Sequence, residues 1–88
     1  MNTLASKPSA ITLHIDEETM RLELADGRQL GVPLWYFPRL LSTTPKRRQK
    51  YIISGGGTGL HWDELDEDIL VENLLMGLGD VQARMAMN

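Results

Sequence analysis

The chain has 88 residues, 42% of them hydrophobic, and nine Lys and Arg against twelve Asp and Glu give a net charge of −3. This length supports one domain and leaves no room for a second, because a single core of this size buries only roughly 60% of the unfolded chain's surface. The absence of cysteine excludes disulfide staples and thiolate chemistry and points to a reducing cytoplasm, while the acidic balance argues against the broad basic footprint that neutralises DNA phosphates.

Residues 1–9 are polar and without period, and read as a flexible tail. They lack the basic start and apolar stretch of a secretion signal, and no apolar run approaches the ~20 residues needed to span a bilayer, so no membrane attachment is expected. Ile11, Leu13 and Ile15 alternate with polar neighbours, which predicts a strand with one buried face. A turn at 16–19 leads to a second alternating run, Met20, Leu22 and Leu24. Asp26-Gly27 then supplies the positive φ of a tight hairpin turn. Leu30 and Val32 continue the alternation until Pro33, which has no N–H for a ladder, completing a three-strand meander.

The run 34–41 breaks the alternation and predicts a short helix from about Tyr36, with Pro38 in its first turn. Thr44-Pro45 is an N-cap followed by Pro at the first helical position, so 46–49 should form a helical turn whose basic residues oppose its dipole. Tyr51, Ile52 and Ile53 are strand-prone, residues 54–59 form a glycine loop, and 60–62 read as a returning strand, together a second hairpin. Residues 69–76 predict a last helix, stopped by Gly77 or Gly79 and preceded by the acids at 66–68. The expected fold is therefore α+β: a small antiparallel sheet, built as a three-strand meander plus a second hairpin, with two or three short helices. It should occupy 10–77, with flexible tails at 1–9 and 78–88.

Two stretches, LADGRQLGVPLWYFPRLLSTTPKRRQKY and GGGTGLHWDELDEDILVENLL, resemble the small bacterial family called domain of unknown function 2442. The specific portions are Pro38-Arg39-Leu40, Thr44-Pro45, and Gly59-Leu60-His61-Trp62 followed by Leu65-Asp66-Glu67-Asp68. The resemblance implies a compact α+β fold with a twisted antiparallel sheet, found alone, beside other small uncharacterised genes, or fused to helix-turn-helix domains. It implies no known catalytic residues. Many relatives carry serine where this chain has Trp35 and Leu70, so two helix caps are expected to be lost.

Residues that could carry chemistry are few. The glycines at 55–57 and 59 could cradle an anion through bare N–H groups, but a phosphate loop needs Gly-Lys-Ser/Thr leading into a helix, and an extended segment follows here; a hairpin loop is the expectation. His61 with Asp63, Asp66 and Asp68 lacks a second nearby histidine and a diagnostic metal spacing, so His61 is expected to support the turn while the carboxylates are solvated or favour the last helix's N-terminus. No cofactor, metal or catalytic residue is assigned, and the protein is not expected to be an enzyme. Lys46, Arg47, Arg48 and Lys50 form a basic run that reads as a solvated turn, with a nucleic-acid or anion contact as the alternative.

The expected partner-binding face is the acidic segment His61, Trp62, Asp63, Asp66, Glu67 and Asp68, with Trp62 partly exposed in the manner of an interface hot spot. The leading functional expectation is a small cytoplasmic protein-interaction module, the antitoxin-like or regulatory member of a two-gene system, with a protein partner and the capacity to self-associate. The alternatives are a nucleic-acid-associated regulator that depends on oligomerisation, and a sensor or sponge for a small anion at the glycine loop.

Overall fold

The alternating residues after the first tail form three strands, β1 (Ala10–Ile15), β2 (Thr19–Leu24) and β3 (Gln29–Pro33), in an antiparallel sheet of order β1-β2-β3. The structure, a computed structural model, describes residues 7–80; most of the two tails expected from the sequence therefore lies outside the described residues. Met20 pairs with Ile15 and Val32, and Leu22 with Leu13 and Leu30, so the period-2 pattern builds one apolar face as expected. At the start of β1 a register shift between Ala10 and Thr12 adds one residue. That bulge turns Ile11 outward and places Ala10 in the core, where simple alternation had put Ile11.

Local side-chain chemistry closes both turns of this meander. The Asp16 carboxylate accepts from the N–H groups of Glu18 and Thr19, each at 2.8 Å, and starts β2. Gly27 takes φ +93° and is the only residue of its turn with positive φ, with Leu24 N–H donating to Arg28 at 2.8 Å. This is the longer hairpin connection with a left-handed glycine rather than a two-residue turn with both φ values positive.

Pro38 divides the run that follows. Leu34–Tyr36 forms a single 3-10 turn, Phe37 leaves helical geometry at φ −131° and ψ 89°, and α1 (Pro38–Ser42) starts with Pro38 at its first position. Thr44 caps α2 (Pro45–Arg48), its hydroxyl accepting from the Arg47 N–H at 3.2 Å. The chain then enters a second sheet of β4 (Ile52–Ser54), β5 (Gly59–Trp62) and β6 (Glu67–Leu70), in antiparallel order β4-β5-β6. The second hairpin thus gains a third strand. The helix expected over 69–76 shortens to α3 (Val71–Leu75), because Glu67 and Ile69 alternate inward with Asp68 and Leu70 outward and pair along β5. A left-handed residue, Asp66 at φ +52°, sets that pairing.

One core joins the two halves, with Met20, Leu22 and Leu24 of the first sheet, Leu34 and Leu40, Leu60 and Trp62 of the second sheet, and Val71 of α3 all fully buried. The outer edge of β1 carries two carbonyls that no strand pairs. Tyr51 donates its hydroxyl to Leu13 at 2.7 Å and Gln49 its amide to Ile15 at 2.8 Å, so the second half of the chain covers that edge.

Candidate functional site

Side chains alternate between the faces of a strand, so the acidic segment is split by its own geometry. Trp62 and Glu67 pair across β5 and β6 and face inward, while His61 and Asp68 pair one position along and face outward. Trp62 is 0% exposed; its indole N–H donates to the Arg48 carbonyl at 2.9 Å and its ring lies 6.2 Å from that of Tyr51. The expectation of a partly exposed Trp62 is therefore overturned, and the half-exposed tryptophan is Trp35. Glu67 is also buried, at 4% exposure. Of the predicted partner-binding residues, His61, Asp63, Asp66 and Asp68 remain at the surface.

His61 organises that surface. Its Nδ1 lies 2.5 Å from Asp68 and its Nε2 2.5 Å from Asp63. Both ring nitrogens can donate only in the imidazolium form, and these bonds, to Asp63 first and then Asp68, push its pKa above the ordinary 6.5. The imidazole thereby ties the turn after β5 back to β6. Because the two carboxylates sit at opposite ends of the ring, they do not converge on one point, and among the described residues no group of three or more metal-ligating side chains could hold an ion. Nor do the acids at 66–68 precede a helix, as expected from the sequence; they lie in a turn and on β6.

Around His61 the outer face of the second sheet forms two rows, Ile52–His61–Asp68 and Ser54–Gly59–Leu70. Gly59 contributes no side chain, and the Ser54 hydroxyl leans over it, 3.0 Å from where a Cβ would stand. Ile52 is 51% exposed and Leu70 53%. Sequence reasoning missed both: Ile52 lay in an unbroken apolar pair, and the alternation that exposes Leu70 was masked by the helix-like run that follows it.

The basic run does not form a patch. Arg48 is 5% exposed, and its guanidinium donates to the carbonyls of Leu40, Leu41 and Thr43 at 2.8, 3.1 and 3.0 Å, fastening the end of α1 to α2. Here the reading of Arg48 as a solvated or phosphate-contacting residue is corrected: the open carbonyls at the end of α1 consume its donors. Glu64 takes both neighbours, lying 3.5 Å from Arg47 and 3.0 Å from Lys50. Lys46 is exposed.

Of the glycine loop, Gly57 packs inward while Gly55 and Gly56 stay exposed. A Cβ on Gly57 would come within 2.6 Å of the Ala10 carbonyl and 2.9 Å of the Ser9 side chain, so the absence of a side chain lets the loop close against the start of β1. A shallow concavity of about 510 Å3 lies instead on the outer face of the first sheet, over Thr12, His14, Arg21, Glu23, Gln29 and Gly31.

Fold and site together define a small two-sheet α+β domain whose charged side chains are largely committed to one another and to backbone carbonyls. The chain belongs to the family described as protein of unknown function (DUF2442), matched over residues 10–79. It is similar to a crystal structure of a protein of unknown function from Rhodospirillum rubrum ATCC 11170, at 25% identity over 89% of this chain and 96% of that one, with a TM-score of 0.76. Among curated proteins none matches. No helix of the described residues is long and apolar enough to cross a membrane.

Proposed function

We propose that the domain is a non-enzymatic protein-interaction module whose partner lies on the outer face of the β4–β5–β6 sheet. The observation that carries this reading is the exposed pair Ile52 and Leu70 on either side of β5, beside the Asp63–His61–Asp68 bridge. An apolar centre edged by ordered charge is how interface cores are built. This reading retains His61, Asp63 and Asp68 of the face expected from sequence and replaces Trp62 and Glu67, which are buried, with Ile52 and Leu70. The lack of cysteine supports a cytoplasmic setting, and the role this reading assigns there is that of a regulatory or antitoxin-like member of a two-gene system. The nucleic-acid alternative loses support, because Arg48 is buried and Glu64 neutralises Arg47 and Lys50.

Affinity capture from the native host tests the reading with the wild-type chain beside Ile52→Glu/Leu70→Glu. The expected outcome is a discrete partner bound by the wild type and lost, by at least about tenfold, from a double variant whose melt stays cooperative. Equal capture by both chains would place the interface elsewhere.

A further inference from the structure

Along an antiparallel strand the backbone hydrogen bonds of successive residues turn alternately to one neighbour and to the other. The Val71 N–H donates to the Thr58 carbonyl at 3.0 Å, and the register of β5 with β6 carries that bonded type back to the pairs Leu60–Ile69 and Trp62–Glu67. The backbones of Asp68 and Leu70 therefore point away from β5, and among the described residues their N–H and carbonyl groups have no backbone partner. β6 ends the sheet order β4-β5-β6. No described strand or helix runs along its outer edge, and α3 only continues from its end. An open edge of this kind is a template for another strand.

The side chains at this edge decide which strand fits. Leu70 is half exposed and stands opposite Gly59, so its own sheet gives it no cross-strand side chain to pack on. Asp68, two residues away on the same outer face, is exposed and gives one carboxylate oxygen to His61. A strand laid along the edge places one side chain opposite Leu70 and a second, two positions along, opposite Asp68. Another copy of β6 is a poor occupant. Antiparallel pairing of two such edges sets Asp68 against Asp68 or against Leu70, and pairing centred on Leu70 runs each strand into the other copy's α3. Like charges directly opposite one another destabilise a ladder, so the edge is guarded against its own kind and suited to a cation.

We propose that the partner docks as an added strand on the outer edge of β6: an extended peptide segment that exchanges backbone hydrogen bonds with Asp68 and Leu70, with an apolar residue opposite Leu70 and a lysine or arginine opposite Asp68. This rests on the interaction face assigned above and specifies how that face is engaged. Main-chain bonds supply the attachment, and the two side-chain pairs supply the selectivity.

The test titrates the full chain with the capped peptide Lys-Thr-Val-Thr-Lys, whose alternate residues read the same in either direction, and follows amide signals and hydrogen exchange by nuclear magnetic resonance. Exchange of the Asp68 and Leu70 amide protons should slow on binding, and this peptide should bind about tenfold more tightly than Glu-Thr-Val-Thr-Glu. Methylating the valine nitrogen removes the donor that faces Leu70 and should abolish the slowing. Asp68→Lys should reverse the preference between the two peptides; if that variant fails to fold, the methylated peptide on the wild-type chain decides. No binding of the lysine peptide, equal binding of its methylated form, or binding without slowed exchange at Asp68 and Leu70 overturns the added strand. If one of these results is found while Ile52→Glu/Leu70→Glu still loses the captured partner, the interaction face stands and only its strand-addition mode falls.

Discussion

At the scale of single residues, the chain shows which losses it tolerates. Leu70 is the residue ahead of α3, in extended geometry at φ −91° and ψ 129°, and it makes no side-chain cap bond. A serine there would accept from an open N–H of the first turn. Leu70→Ser should therefore raise stability by about 1 kcal/mol, a melting shift of roughly 4–8 °C in a domain of this size. A thermal melt followed by circular dichroism checks it. An unchanged or lowered midpoint would mean that the apolar contacts of Leu70 outweigh the missing cap, and that the residue is retained for the fold and not for the exposed face. The corresponding expectation at Trp35 does not apply, because Trp35 lies within the 3-10 turn and the residues ahead of that turn and of α1 are Pro33 and Phe37.

At the scale of elements, the β5–β6 turn depends on His61. Its pKa is raised in the folded chain by Asp63 and Asp68, so the folded state holds the proton more tightly than the unfolded one. The sign follows: the stabilising contribution is fully present below the unfolded value near 6.5 and is lost as pH rises through the higher folded value. Glu67, also raised, works in an earlier window, lowering stability from its ordinary 4.5 up to about 7. Urea denaturation of the wild type and His61→Gln at steps from pH 5.5 to 9 separates them. The stability difference between the two chains should shrink above pH 6.5, whereas a difference constant with pH would show that His61 acts through packing alone. In the same turn the two carboxylates do not converge, since each spends its reach on a different nitrogen of one ring.

At the scale of the whole molecule, the chain just past the expected boundary at Gly77 packs on the core, since Gly79 is buried and a Cβ there would lie 2.6 Å from Tyr36. A chain ending at Gly77 should melt several degrees below one ending at Asp80, since it loses the packing of Gly79 on Tyr36. Calorimetry of the two chains checks this. Equal midpoints would mean that the terminal contact closes without adding stability.

What the sequence by itself determined is local. The alternation through Leu13, Leu22 and Val32, the Asp26-Gly27 turn and the Thr44-Pro45 helix start each depend on neighbours within a few residues, and each stands where its pattern placed it. The tertiary structure decided what faces what. Residues 67–70 read as the approach to a helix until β5 offered them a ladder, and period 2 then sent Trp62 and Glu67 inward together while leaving Leu70 outside. Arg48 looked like surface charge because nothing nearby in sequence announces three open carbonyls at the end of α1. A pattern of polarity reports a period, but which face is covered depends on elements that arrive from far along the chain, and a charged side chain is buried wherever those elements bring it enough partners to replace water.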